Sequence, residues 1–178
     1  MPVPDFSPGE VLTAAAMDSI GLWLVKSQTV GTGVSSVEVT SAFSADYDNY
    51  RITWTGGTLS GVENMRMILG ATATGYYSQL IYQAYASSLA PLANVPDNNA
   101  VRWSFVGVGT TAFASVRVEL FNPNRTTRTL MCSPYASNTI AGTSNGFLDN
   151  ATAYTSFTLS PAAGTMTGGT VRVYGYRN

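Results

Sequence analysis

The chain has 178 residues, a length that suits one domain with a core of its own. Hydrophobic residues make up 45 % of it and charged residues only 11 %, against about 25 % charged in an average soluble domain. That combination excludes intrinsic disorder, which pairs low hydrophobicity with high charge. Nine Lys plus Arg against ten Asp plus Glu leave a net charge of −1 with no basic cluster, so DNA and RNA are excluded as partners.

Residues 1–21 read as an arm distinct from the rest. Pro2, Pro4 and Pro8 keep its start extended. Two helix starts fit the next residues. Ser7-Pro8-Gly9-Glu10 has capping-box spacing, with Phe6 and Val11 as a hydrophobic staple. Thr13 as N-cap, with Leu12 and Met17 as the staple, gives a short helix over Ala14 to Ile20. The second is preferred, because Gly9 weakens the earlier turn and Gly21 stops the later helix well. The start has no basic region and no long apolar run, so no secretory signal is expected there. No apolar stretch of about 18 residues is present to span a membrane.

From residue 22 the hydrophobic period changes to two, and residues 22–178 read as one β body. Expected strands are Leu22–Val25, Val37–Val39, Tyr50–Trp54 and Met65–Leu69. They continue with Tyr76–Tyr85, Val101–Val108, Phe113–Phe121, Thr127–Cys132, Tyr154–Leu159 and Thr170–Tyr176. Turn residues separate them at Gly56-Gly57, Asn122-Pro123-Asn124, Asn145-Gly146 and Gly168-Gly169. Ser87–Ala100, rich in Pro and Asn, reads as a long surface loop. Thr53–Leu59 echoes Thr165–Val171, which reads as two hairpins sharing one turn chemistry rather than a duplicated half. About ten short strands without interleaved helices give an all-β fold: an antiparallel, jelly-roll-like sandwich with an N-terminal arm and short helix.

Little in the chain carries catalytic chemistry. Histidine is absent, which removes the usual general base, the Ser-His and Cys-His pairs and the commonest metal ligand. Cys132 is the only cysteine and reads as a buried hydrophobe. Gly70–Gly75 and Gly107-Val108-Gly109 lack the lysine and helix of a phosphate loop and read as turns. Asp46 and Asp48 would share a strand face able to hold a sugar or a cation, or else belong to a polar turn entering Tyr50–Trp54. Tyr76, Tyr77, Tyr82 and Tyr85 form an aromatic cluster whose exposed members would stack on sugar rings, while alternation sends half of them into the core. The expectation is a non-enzymatic protein with no cofactor and no metal.

Phe6-Ser7-Pro8-Gly9-Glu10-Val11-Leu12-Thr13-Ala14-Ala15 resembles the opening of many tailed-bacteriophage structural proteins. The remainder resembles a β-rich module of tailed-phage proteins. The matching stretches are Ala42–Tyr50, Leu69–Tyr77, Glu119–Pro123 and the ending Gly168–Asn178. The resemblance implies a virion component without catalysis: a tail-fibre or minor tail protein with a role in host-surface recognition, or alternatively a capsid decoration or head-fibre protein. A free carbohydrate-binding module is the third reading. The resemblance also implies a homotrimer on the tail or capsid surface, with other virion proteins and a host-surface glycan as partners. Phe6, Val11, Leu12 and Met17 of the arm, too short to fold alone, are the expected contacts to other virion proteins.

Overall fold

A computed structural model describes residues 21–86 and 93–176. The arm helix, with Phe6, Val11, Leu12 and Met17, lies outside the described residues. Those described are all-β, with no helix among them. They form β1 (Leu22–Thr29), β2 (Val37–Val39), β3 (Asn49–Thr55), β4 (Thr58–Leu59), β5 (Glu63–Leu69), β6 (Tyr76–Ala84) and β7 (Ala93–Ala100). The second half adds β8 (Trp103–Gly109), β9 (Ala114–Phe121), β10 (Thr129–Ala136), β11 (Ile140–Leu148), β12 (Phe157–Pro161), β13 (Met166–Thr167) and β14 (Thr170–Tyr176).

Twelve of these strands make one antiparallel sheet that forks at β9. One edge of β9 pairs with β3 from Val116 to Phe121, and β3 leads on through β14 to β1. The other edge is divided. Ala114–Val116 pair with β8, and Glu119–Phe121 pair with β10. From β8 the sheet continues through β5 and β12 to β2; from β10 it continues through β11 and β6 to β7.

The core follows from alternation. Tyr50, Ile52 and Trp54 of β3 are buried, as are Met65, Met67 and Leu69 of β5. Val116, Val118 and Leu120 of β9 join Val171 and Val173 of β14 in the same cluster, with Trp103 from one branch and Tyr76 and Leu148 from the other. Each such side chain contributes roughly 1.5–3 kcal/mol when fully buried. One core therefore serves both branches of the fork.

The echoed segments turn out to be partners in space. Thr55 lies opposite Thr170, and Thr58 lies opposite Thr167, so Gly56-Gly57 faces Gly168-Gly169 across a single continuous register. The two segments bend together at four glycines, of which Gly56, Gly168 and Gly169 have positive φ. The Trp54 indole lies beneath, its Nε1 donating to the Gly168 carbonyl at 3.2 Å. They are not two separate hairpins. Similar sequences are needed because each strand must kink at the same level as its neighbour.

Four further expectations are corrected. Ser87–Ala100 is not a loop throughout, since Ala93–Ala100 is β7 and pairs with β6. Asn145-Gly146 is no turn but the middle of β11, a strand without apolar alternation. Its Gly142 and Gly146 let β6 approach so closely that an added Cβ would lie 2.1 and 2.0 Å from the Ile81 and Tyr77 carbonyls. Gly107-Val108-Gly109 ends β8 rather than forming a turn. Cys132 is only half-buried, because Met131 and Ser133 take the inward positions of β10.

The kink predicts where substitution is costly. A Cβ at Gly169 would sit 2.5 Å from both the Gly57 nitrogen and the Thr55 carbonyl oxygen, at φ +78°. Gly169→Ala should therefore lose stability by about 1–3 kcal/mol in urea denaturation. Gly61→Ala, with open space around its Cβ, should stay within about 0.5 kcal/mol of the parent.

Candidate functional site

The face of the sheet opposite the core carries the interaction chemistry. Paired residues of neighbouring antiparallel strands share a face, and the register aligns one row across seven strands. Leu22 lies opposite Tyr176, Tyr176 opposite Asn49, and Asn49 opposite Phe121. The row continues through Leu130 and Phe147 to Tyr77. Phe121 is 38 % exposed, Leu130 47 % and, in the adjoining row, Leu24 55 %. Large apolar groups left in water side by side on rigid strands mark a contact surface.

Within the β1–β10 half of this face, Glu119 organises a polar cluster. Its carboxylate accepts from Arg51 Nε at 2.6 Å and from the Tyr176 hydroxyl at 2.5 Å, with Arg117 Nε at 3.8 Å. The Arg51 guanidinium lies 5.6 Å from the centre of the Tyr176 ring. The hydrogen bond to Glu119 raises the Arg51 pKa above its ordinary value; burial, then the same carboxylate, raises that of Tyr176. Asn49, Arg51, Glu119, Phe121 and Tyr176 line a shallow cavity of about 390 Å³. An arginine among aromatic and aliphatic groups is the composition of protein interfaces.

At the other end, β11, β6 and β7 form a second cleft of about 420 Å³. Tyr77 and Phe147 are stacked at 5.0 Å with their planes 14° apart. The Arg128 guanidinium lies 5.1 Å from the Phe147 ring centre and is held by Asp149 at 2.7 Å. Gln79, Pro96, Asp97, Asn98 and Asn145 complete the lining with Ser78 and Gly146.

The structure divides the expected tyrosine cluster between two faces. Tyr76 is fully buried, edge-on to Trp103 with ring centres 5.1 Å apart. Its hydroxyl accepts from the Leu69 amide at 2.8 Å and donates to the Thr72 carbonyl at 3.3 Å. Tyr82 packs against a small inner cluster of Leu80, Val108 and Tyr135. Neither offers a ring to a ligand. Tyr77 faces outward into the cleft, and Tyr85 is 62 % exposed beyond the end of β6.

Asp46 and Asp48 lie in the turn before β3 rather than on a strand, with separate partners. Asp46 accepts from Ser44 Oγ at 2.9 Å, while Asp48 is paired with Arg125 at 2.5 Å. Neither lines a cavity described above. The turn is scaffold: the Asn122 amide donates to the Asp48 carbonyl, and Tyr47 covers Gly175, where an added Cβ would fall 2.4 Å from the ring. Among the described residues no group of three His, Cys, Asp or Glu is placed to hold a metal, and no helix is long and apolar enough to cross a membrane.

Sequence reasoning missed Phe147, Asn145 and Asn98 in the cleft, Phe121 in the row, and Arg51 and Glu119 beside it. Only strand register brings these together. The chain matches no protein-family model, no curated protein and no solved structure.

Burial raises the phenol pKa of Tyr50, Tyr76, Tyr135 and Tyr176 above the usual 10.0. Each holds its proton more tightly folded than unfolded, so this stabilisation is complete below pH 10 and drains away as pH rises. Urea denaturation should show stability falling above pH 10. Tyr76→Phe, which strands the Leu69 amide, should cost about 1–3 kcal/mol at pH 7 and lessen that alkaline fall.

Proposed function

We propose that the chain is a non-enzymatic structural protein of a bacteriophage virion, a tail-fibre or minor tail component that also contributes to host-surface recognition. The observation that carries the reading is the outward row Leu22, Tyr176, Phe121 and Leu130 with the Arg51–Glu119 pair beside it. It is a rigid, aromatic and aliphatic surface suited to permanent contact with other virion proteins. On this reading the apolar arm residues Phe6, Val11, Leu12 and Met17, which precede β1 in the chain, are further contacts to other virion proteins. The likeness of Phe6–Ala15 and Gly168–Asn178 to tailed-phage proteins supports the same assignment.

The body is, on this reading, a β-sandwich of jelly-roll type, its two layers being the branches that share one core. Copies assemble as a homotrimer through these bodies. A capsid decoration or head-fibre protein is the second reading, and the same exposed row supports it.

Deleting residues 1–20, or combining Phe121→Asp with Leu130→Asp, should abolish incorporation into particles while circular dichroism still reports a folded β protein. Normal incorporation of both variants would refute the assignment. Immunogold label at the tail tip supports the fibre reading, and label spread over the head supports decoration. Particles carrying no label overturn both and favour a free carbohydrate-binding module.

A further inference from the structure

The cleft between β11, β6 and β7 has features that a structural aromatic pair does not require. Tyr76 pairs with Ala100, but Ser78 pairs with Asp97, so β7 carries one extra residue opposite Tyr77. This is a β-bulge, a device that re-aims side chains and interrupts pairing next to binding sites. Asn99 adopts φ +50° within it, and its Oδ1 accepts from Thr74 Oγ1 at 3.1 Å and from the Gly75 amide at 3.0 Å. Asp97 is fixed as well: its Oδ2 accepts from Ser78 Oγ at 2.7 Å and from the Ser104 amide at 2.8 Å. The bulge is thus held rigidly, and the space it leaves beside Tyr77 is the cleft.

The lining defines the ligand. Tyr77 supplies an aromatic ring braced by Phe147, which is itself capped by Arg128. Around it stand three primary amides, Gln79, Asn98 and Asn145. Among the described residues the amides of Gln79 and Asn98 have no hydrogen-bond partner, although amides have both donors and acceptors to satisfy. No cation lines the cleft, and Arg128 beside it is engaged by Asp149, so an anionic ligand is disfavoured. A purely apolar ligand would leave the amides unpaired. A pyranose has an apolar C–H face for the ring and hydroxyls that both donate and accept. The volume lies within the range of small-ligand sites, about 300–1,000 Å³.

We propose that this cleft binds a neutral pyranose, its C–H face on Tyr77 and its hydroxyls on Gln79, Asn98 and Asn145. The inference deepens the host-surface role and rests on that reading only for the source of the sugar, a polysaccharide of the bacterial surface.

The test is saturation-transfer NMR and calorimetry on the full chain with methyl glycosides of glucose, galactose, mannose, rhamnose and N-acetylglucosamine, and with their oligosaccharides. The expected result is saturable binding of at least one, weakened about tenfold or more by Tyr77→Ala and by Asn98→Ala, and unchanged by Tyr85→Ala. Asn98 is exposed on the bulge, so its variant reads the site even where Tyr77→Ala perturbs the sheet. Binding of none of these sugars, or binding unmoved by both cleft variants, overturns the proposal. Incorporation into particles is scored separately. Cleft variants that lose sugar binding yet incorporate normally uphold both proposals. A wild-type chain that incorporates but binds no sugar sinks the cleft and spares the virion assignment; one that binds sugar but never enters a particle does the reverse.

Discussion

The divided edge of β9 is the constraint on which the rest of the architecture depends. A strand eight residues long has one edge paired with β3 and must share the other between β8 and β10. That sharing splits the sheet, and both branches then close over the inward side chains Val116, Val118 and Leu120. The Ser104 amide, donating to Asp97, and the Tyr76–Trp103 ring contact tie the two branches together away from β9 as well. The backbone hydrogen bonds of β9 thus place two sets of strands around one core, and they leave a continuous face on the other side.

Low charge shapes what that face can be. With 11 % charged residues, the chain cannot cover its outer sheet with ion pairs. Arg51 and Glu119 are committed to each other and to Tyr176, and Arg128 to Asp149 and Phe147. Arg117 and Arg172 stand on the same face beside Thr53, and the rest is mainly aliphatic, aromatic, hydroxyl or amide. Such a surface gains little from long-range steering and much from close contact, because its energy comes from excluding water rather than from screened charge.

How much of this could be read from the residues alone depends on whether the signal is local. Tyr50-Arg51-Ile52-Thr53-Trp54 and Met65–Leu69 announce themselves by strict alternation, since one face is buried and the other is not. Ile140–Leu148 gives no such signal. Its glycines serve a close approach to β6, Thr143 and Asn145 sit on a face that is only partly covered, and an inward position is taken by buried Ser144 instead of an apolar residue. Ala93–Ala100, with a proline and three asparagines, looks like a loop because β7 is a bulged sheet-end strand, where proline and irregular backbone are tolerated. The site was legible only in part for the same reason. The tyrosines of β6 signal aromatic chemistry, but Tyr76 and Tyr77 diverge because adjacent residues point to opposite faces. Phe147, 70 residues away in sequence from Tyr77, becomes its neighbour only through the β11–β6 register.

That register also gives one sheet face two kinds of surface. The row from Leu22 to Leu130 lies on strands with neighbours on both sides or on β1, which continues from the arm. Backbone there is regular, and the side chains are large and apolar. Toward β7 the ladder is interrupted, asparagines replace aliphatic groups, and the aromatic ring of Tyr77, stacked on Phe147, borders open space. A regular sheet presents a flat surface that another protein can cover, whereas a bulge leaves a concavity. The same face can therefore be buried in an assembly at its β1 end while its β7 end stays open to solvent.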